Sequence, residues 1–107
     1  MNYKQALKEV KTMYKTLNLK NTKSRYIGDY EYQCVPANYL SIDCLTTIIM
    51  DYISNNNRSA LKLPEVHSLL VDNGISFDYR RDLSKLIEAK KFRYETQAGL
   101  NQIRPYI

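Results

Sequence analysis

Basic and aromatic side chains in the last third of the chain have the residue types and spacing to bind a polyanion. Arginine can donate two parallel hydrogen bonds to guanine in the major groove, and lysine suits phosphate or guanine. The candidate residues for such binding are Tyr79, Arg80, Arg81, Lys85, Lys91, Arg93 and Arg104.

The sequence does not predict an enzyme. It contains no glycine-rich phosphate loop and no nucleophile motif, and the single histidine, His67, has no placed partner. Cys34 and Cys44 are ten positions apart, which matches no metal motif. We therefore expect no catalytic residue, no metal and no cofactor, and we expect two reduced thiols in preference to the alternative, a disulfide.

The net charge of +5 is concentrated at the two ends of the chain. Residues 1–25 hold seven cations against the single acid Glu9, and basic residues return from Arg80 onward. This distribution favours a nucleic-acid partner, although a solvated lysine surface would explain it too.

No apolar run approaches the roughly 20 residues that cross a bilayer, and the first residues lack a signal-peptide core. We expect a cytoplasmic protein without membrane contact.

The first segment is predicted to be a helix with two stripes. Its apolar stripe has the alternating spacing of a coiled coil and predicts a homodimer through Tyr3, Leu7, Val10, Tyr14 and Leu17. Ala6 and Met13 broaden this stripe toward the width of a helix that packs on its own domain, which is the alternative. The second stripe, here named the lysine ribbon, consists of Lys4, Lys8, Lys11 and Lys15.

The rest of the chain alternates short elements. Tyrosine or cysteine alternates with polar residues over residues 30–34, which predicts a strand. Ser41 is expected to cap the most apolar helix of the chain. A short strand should precede Pro64, where a helix can start and run to Gly74. Ser76 is expected to cap a third helix over residues 77–90, and a hairpin ends the chain.

From Ser41 onward the order is helix, strand, helix, tight turn, helix and hairpin. This order and the stretch "LPEVHSLLVDNGISFDYRRDLSKLIEAKKF" resemble the winged-helix family over roughly the last 65 residues. The resemblance implies an α+β, mostly helical fold with an extra N-terminal helix and a short β-sheet or hairpin. Residues 1–40 would be a helix plus a tyrosine-rich extension, and residues 41–107 the winged-helix domain.

Two residues depart from the family pattern. Arg80 stands where the recognition helix usually carries a small or aliphatic residue. Either the register is slipped by one residue, or Arg80 reaches outward past Tyr79. Pro105 lies in the last strand, where it cannot donate to a ladder, so pairing ends near Arg104 or Pro105 faces an open edge.

The register of the hairpin places two arginines together. If Thr96 pairs with Asn101, Arg93 lies directly opposite Arg104, and the other face, with Phe92 and Tyr94, packs on the core. Like charges so placed cost on the order of 0.2–1 kcal/mol unless an anion lies between them. Either a DNA phosphate or the neighbouring Glu95 can supply that anion.

The resemblance implies that the third helix is a recognition helix, whose first residues usually read bases, and that the candidate residues named above bind DNA. This helix also carries acids. Asp78 and Asp82 are expected to share its outer face with Arg81 and Lys85, and they either oppose DNA or pair with these cations.

We predict a double-stranded-DNA-binding protein, a transcriptional regulator or a replication or partition accessory of a virus or mobile element. The alternative is a protein-binding winged helix, an adaptor or inhibitor of a larger nucleic-acid machine.

Overall fold

The computed structural model describes residues 1–19, 34–97 and 99–106, which form an α+β arrangement dominated by helices. The expected fold class is confirmed, and the order of elements is compatible with a winged-helix-like fold. The predicted strand over residues 30–34 lies outside the described residues except for Cys34. The elements are α1 (Tyr3–Thr16), β1 (Val35–Pro36), a 3-10 turn (Ala37–Tyr39), α2 (Ile42–Asn55), β2 (Leu61–Lys62), α3 (Leu63–Asp72), β3 (Ile75–Ser76), a π-helical turn (Tyr79–Leu83), α4 (Ser84–Glu88), β4 (Phe92–Gln97) and β5 (Leu100–Pro105).

Helix α2 is the central core helix, as its sequence predicts. Ser41 caps it, because its Oγ accepts a hydrogen bond from the Cys44 backbone N–H at 3.1 Å. Ile48 and Ile49 are fully buried, and the helix ends at the asparagine-rich turn where Asn57 has φ +50°.

Helix α3 starts with Pro64 in its first turn and stops before Gly74, which has φ +78°. A left-handed residue after a helix favours glycine, because glycine has no Cβ to clash there.

The sheet has the strand order β2-β5-β4 and is antiparallel. Thr96 pairs with Asn101, as expected, and the inward face buries Phe92 and Ile103 completely. Tyr94 was expected on that packed face, but it remains 41% exposed although its cross-strand partner Ile103 is fully buried. Tyr94 lies on the edge strand β4, whereas Ile103 lies on the central strand β5.

Pairing in the hairpin does not end before Pro105. Phe92 pairs with Pro105, and the Tyr106 N–H donates to the Lys91 carbonyl at 3.0 Å. Successive residues of a strand direct their backbone groups to opposite sides. The Pro105 nitrogen therefore faces the side of β2, and β2 pairs only as far as Ile103. Of the two expectations, the open-edge position is the one observed.

A short parallel pair between β1 and β3 is absent from the sequence-based prediction. Val35 pairs with Ile75, both are fully buried, and the Val35 N–H donates to the Gly74 carbonyl at 2.9 Å. This pair ties the chain before α2 to the turn after α3. It also keeps residues 75 and 76 extended, which delays the next helix.

Helix α1 packs against α2. Asn2 and Gln5 form a reciprocal capping box at its start. The Glu9 carboxylate accepts hydrogen bonds from the backbone N–H and the hydroxyl of Ser41, at 2.8 and 3.0 Å. A carboxylate at a helix N-terminus also interacts favourably with the helix dipole.

Within residues 1–19, 34–97 and 99–106, each helix is too short or too polar to cross a bilayer.

Candidate nucleic-acid interface

The third helical segment, residues 79–88, begins later than the sequence suggests. Ser76 was expected as its cap, but Ser76 lies in β3, paired with Pro36. Asp78 takes this role, because its Oδ1 accepts the Arg80 backbone N–H at 2.9 Å. Buried Phe77 separates the two positions and requires the chain to stay extended until Asp78. The prediction of a Ser76 cap was wrong.

The segment starts with a π-helical turn before it becomes α4. A π turn holds one residue more than an α turn, so it shifts the register by one position. This shift explains why Arg80 stands where the winged-helix pattern usually has a small or aliphatic residue. The Tyr79 ring contacts Phe77 on the domain while 37% of the residue stays exposed, and Arg80 is exposed to solvent.

Asp82 does not face outward, which corrects the expectation that it shares an exposed face with Asp78. Its side chain is 1% exposed, one turn before the buried Leu86. The Asp78 backbone N–H donates to Oδ2 of Asp82 at 2.8 Å. The 3-10 turn Ala37–Tyr39 packs against the π turn. Asp82 therefore stabilises the start of the segment from inside and is not available to repel DNA.

Arg81 is the ion-pair partner of Asp82. Its Nε and Nη2 each donate to the carboxylate at 2.9 Å, and Nη2 also lies 3.4 Å from the Ser76 carbonyl. The hydrogen bonds to Asp82 raise the pKa of Arg81 above its ordinary value. The guanidinium edge that carries Nε and Nη2 is thus occupied within the protein. Arg81 therefore braces Asp82, while its side chain remains 38% exposed, and its role in DNA binding stays a prediction.

Tyr79 is also anchored. Its hydroxyl donates to the Leu63 carbonyl at 2.7 Å, and its ring meets Phe77 and His67 edge-on at 5.7 and 6.2 Å. Burial raises the pKa of the Tyr79 hydroxyl. The His67 Nδ1 lies 3.3 Å from the Phe77 carbonyl oxygen. These contacts fix residues 77–79 on α3, so that Tyr79 offers a partner only its exposed ring surface.

The two wing arginines are directly opposite each other, as the register predicted. Arg104 is neutralised by Glu95, with Nε and Oε1 3.0 Å apart, and Gln102 donates to the second carboxylate oxygen at 3.1 Å. The Arg93 guanidinium instead lies over the Tyr106 ring, 4.7 Å from its centroid. Glu95 therefore neutralises Arg104, while Arg93 has no carboxylate within ion-pair distance among the described residues.

Four of the predicted DNA-binding residues are exposed and have no carboxylate within ion-pair distance in the described part of the chain. We name them the cation strip: Arg80, Lys85, Lys91 and Arg93. They follow the segment from its π turn through α4 into β4. Residues 77–106 contain seven cations against four carboxylates, and one of those carboxylates is the buried Asp82. The surface is thus positive but interrupted by the exposed acids Asp78 and Glu88.

The apolar stripe of α1 lies mainly against its own domain. Val10 is 6% exposed, and the Tyr3 hydroxyl donates to Oδ1 of Asn73 at 2.6 Å. Leu7, Tyr14 and Leu17 are partly buried. This is the arrangement given as the alternative to a coiled coil. The homodimer stays a prediction, and it would have to use the parts of these side chains that remain exposed.

The two cysteines are free thiols. Burial, with a contribution from Glu9, raises the pKa of Cys44 to about 12, and its Sγ lies 3.3 Å from the Ala6 carbonyl. Burial also raises the pKa of Cys34. Neither thiol is therefore activated for nucleophilic chemistry. In the described residues, no three side chains of the metal-binding types come together.

Comparison with known proteins returned no matching family model, curated protein or solved structure. The winged-helix resemblance therefore depends on the order of elements and on the sheet topology. The assignment of the site depends on its geometry.

Proposed function

We propose that this protein is a small winged-helix protein that binds double-stranded DNA, as a transcriptional regulator or as a replication or partition accessory. The observation that carries the proposal is the cation strip. Its four uncompensated charges follow the third helical segment into the hairpin, which are the two elements that contact DNA in winged-helix proteins.

Residues 79–88 are suited to the major groove as a pre-organised element. Asp82, Arg81 and Tyr79 hold the segment on the domain through contacts that all point inward. Arg80 and Lys85 point outward without internal partners among the described residues. Arg80 is the candidate base reader because it lies in the first turn, where recognition helices usually read bases. Lys85 suits a phosphate or guanine, since lysine is a point charge on a flexible stem.

The wing is suited to the sugar-phosphate backbone. A guanidinium that lies over an aromatic ring uses its face for that contact and keeps its N–H donors, which lie in its plane, for other partners. Arg93 over Tyr106 is therefore held in place with its donors unoccupied by carboxylates of the described residues. Arg104, paired with Glu95, adds less net charge to the same surface.

The test is fluorescence anisotropy with a labelled duplex at several salt concentrations. Each phosphate contact contributes about −0.9 to the slope of log affinity against log salt. Arg93→Gln and Lys85→Gln should each weaken binding and flatten this slope by about one contact. Arg80→Gln should lower affinity and relax sequence preference by up to about 1–3 kcal/mol at one base pair.

Arg58→Gln is the matched control. It removes the same formal charge, but Arg58 already donates to both oxygens of Glu65, at 2.7 and 2.9 Å, and lies outside the proposed surface. Its salt slope should equal that of the wild type. No duplex binding by the wild type at about 50 mM salt, where nonspecific phosphate contacts are strong, would refute the proposed function.

A protein-binding winged helix is the second candidate, and exposed tyrosines favour it. Tyr39, Tyr94 and Tyr106 are 52%, 41% and 48% exposed, and tyrosine is enriched in protein interfaces. An adaptor or inhibitor would bind its partner through these rings and would not require the cation strip. Tyr39→Ala and Tyr94→Ala would then abolish complex formation, while Arg93→Gln would leave it unchanged.

A further inference from the structure

The lysine ribbon of α1 is a second uncompensated basic surface. All four of its side chains are exposed, and none lies within ion-pair distance of a carboxylate in residues 1–19, 34–97 and 99–106. Glu9 is the only acid on α1, and both of its oxygens accept hydrogen bonds from Ser41. The carboxylate carried by α1 itself is thus used to dock the helix on α2.

This arrangement costs stability in the isolated protein. Lys4 and Lys8, and Lys11 and Lys15, are like charges at i, i+4, and each such pair destabilises a helix by about 0.2–0.5 kcal/mol. The first turn of α1 contains no acid to offset them through the helix dipole. A polyanion that binds along the ribbon would remove this repulsion.

The ribbon is fixed close to the proposed DNA-binding segment. Two contacts join α1 to the turn after α3. The Tyr3 hydroxyl donates to Asn73, and the Val10 side chain lies so near Gly74 that a Cβ at this glycine would be 4.0 Å from a Val10 methyl carbon. Lys11 and Lys15 form one wall of a groove of about 280 Å³, whose other wall is Asn73–Gly74. Arg80 follows Gly74 by six residues, so the two positions are at most about 22 Å apart.

We propose that the lysine ribbon is a second phosphate-contact surface, which binds the DNA backbone beside the part of the duplex that residues 79–88 and the wing engage. The proposal rests on the proposed function. Lys15 follows Lys4 by eleven positions, a rise of about 16 Å along the helix. That length corresponds to about five base pairs at 3.4 Å each, so the ribbon would extend the footprint by up to that amount.

The chemistry of the ribbon favours the DNA backbone over base edges. Lysine ammonium groups on flexible stems provide charge without a fixed hydrogen-bonding geometry. Phosphate contacts of this kind set affinity and position and do not read sequence. The ribbon should therefore add affinity equally to specific and nonspecific duplexes.

The experiment compares Lys11→Gln/Lys15→Gln with Lys11→Arg/Lys15→Arg in the full chain, by salt-dependent anisotropy and hydroxyl-radical footprinting. Loss of two phosphate contacts should reduce the magnitude of the salt slope by about 1.8. The protected region should also become shorter on one side. The arginine pair keeps both charges and should retain the slope and the footprint. Thermal unfolding should show both variants folded, because all four substitutions are on exposed helical positions.

The outcomes separate this inference from the proposed function. If the wild type binds duplex DNA and Arg93→Gln weakens it, but the glutamine pair leaves slope and footprint unchanged, the ribbon is only a solvated face and the inference is overturned. If the wild type does not bind duplex DNA, the proposed function fails and the inference fails with it. Binding of anionic vesicles but not of duplex by the wild type would overturn both.

Discussion

Asp82→Ala and Arg81→Met break the same ion pair but should destabilise the protein by different amounts. In Asp82→Ala the remaining charge is Arg81, whose side chain is already 38% exposed and can regain water. The variant loses two charge-assisted hydrogen bonds and the acceptor for the Asp78 N–H. Hydrogen bonds to charged groups contribute about 1.5–3 kcal/mol when buried. Because water replaces part of them here, we expect a loss of about 2 kcal/mol.

Arg81→Met keeps most of the side-chain volume but leaves a carboxylate that is 1% exposed with one remaining donor, the Asp78 N–H. Removal of one partner from a buried pair costs about 3–5 kcal/mol when the other charge stays buried. The double variant leaves no stranded charge. It should therefore resemble Asp82→Ala and lose less than the sum of the two single variants.

Urea unfolding at pH 7, followed by circular dichroism, measures these differences. In thermal unfolding they correspond to decreases in Tm of roughly 10 °C for Asp82→Ala and 20 °C for Arg81→Met. Arg80→Met is the control, since an exposed side chain without such contacts should change stability by at most about 0.5 kcal/mol. An Arg81→Met variant that is no less stable than Asp82→Ala would refute the reasoning, because Asp82 would then not be held as a buried carboxylate.

Two further predictions concern the junction of α1 with the domain. The pKa of Cys44 is raised to about 12 by burial and Glu9, so above pH 9 the unfolded thiol ionises while the folded thiol stays protonated. This contribution to stability is complete below pH 9 and should fall by up to about 1.4 kcal/mol per pH unit until the folded thiol titrates. Unfolding under reducing conditions should show a flatter decrease for Cys44→Ala, and parallel curves for the two proteins would contradict the assignment. Tyr3→Phe should cost about 1 kcal/mol, because it removes the bond to Asn73. Tyr14→Phe should be neutral or stabilising, since the buried Tyr14 hydroxyl has no partner among the described residues, and a larger loss there than for Tyr3→Phe would reverse the argument.

Local sequence signals determined the elements that a few neighbouring residues specify. The Ser41 cap and the apolar face of α2 depend on spacing within one helix, and both were predicted. The pairing of Arg93 with Arg104 follows from the turn and the period of two, because one turn fixes the register of a hairpin. The free thiols and the left-handed Gly74 were read from residue type and position in the same way.

Only the tertiary structure decided which charges are available at the candidate site. Asp82 and Arg81 are adjacent in sequence, and helical spacing alone placed both on an exposed face. Asp82 is buried because the π turn and the 3-10 turn Ala37–Tyr39 pack around it, and neither contact has a local sequence signal. The parallel pair of Val35 with Ile75 likewise joins residues 40 positions apart. Spacing along the chain shows which side chains share a face of their own element. Which element covers that face depends on distant residues. For this reason only the tertiary structure shows that Arg81 pairs with Asp82, whereas Arg80 and Arg93 have no carboxylate partner in the part of the chain that the structure describes.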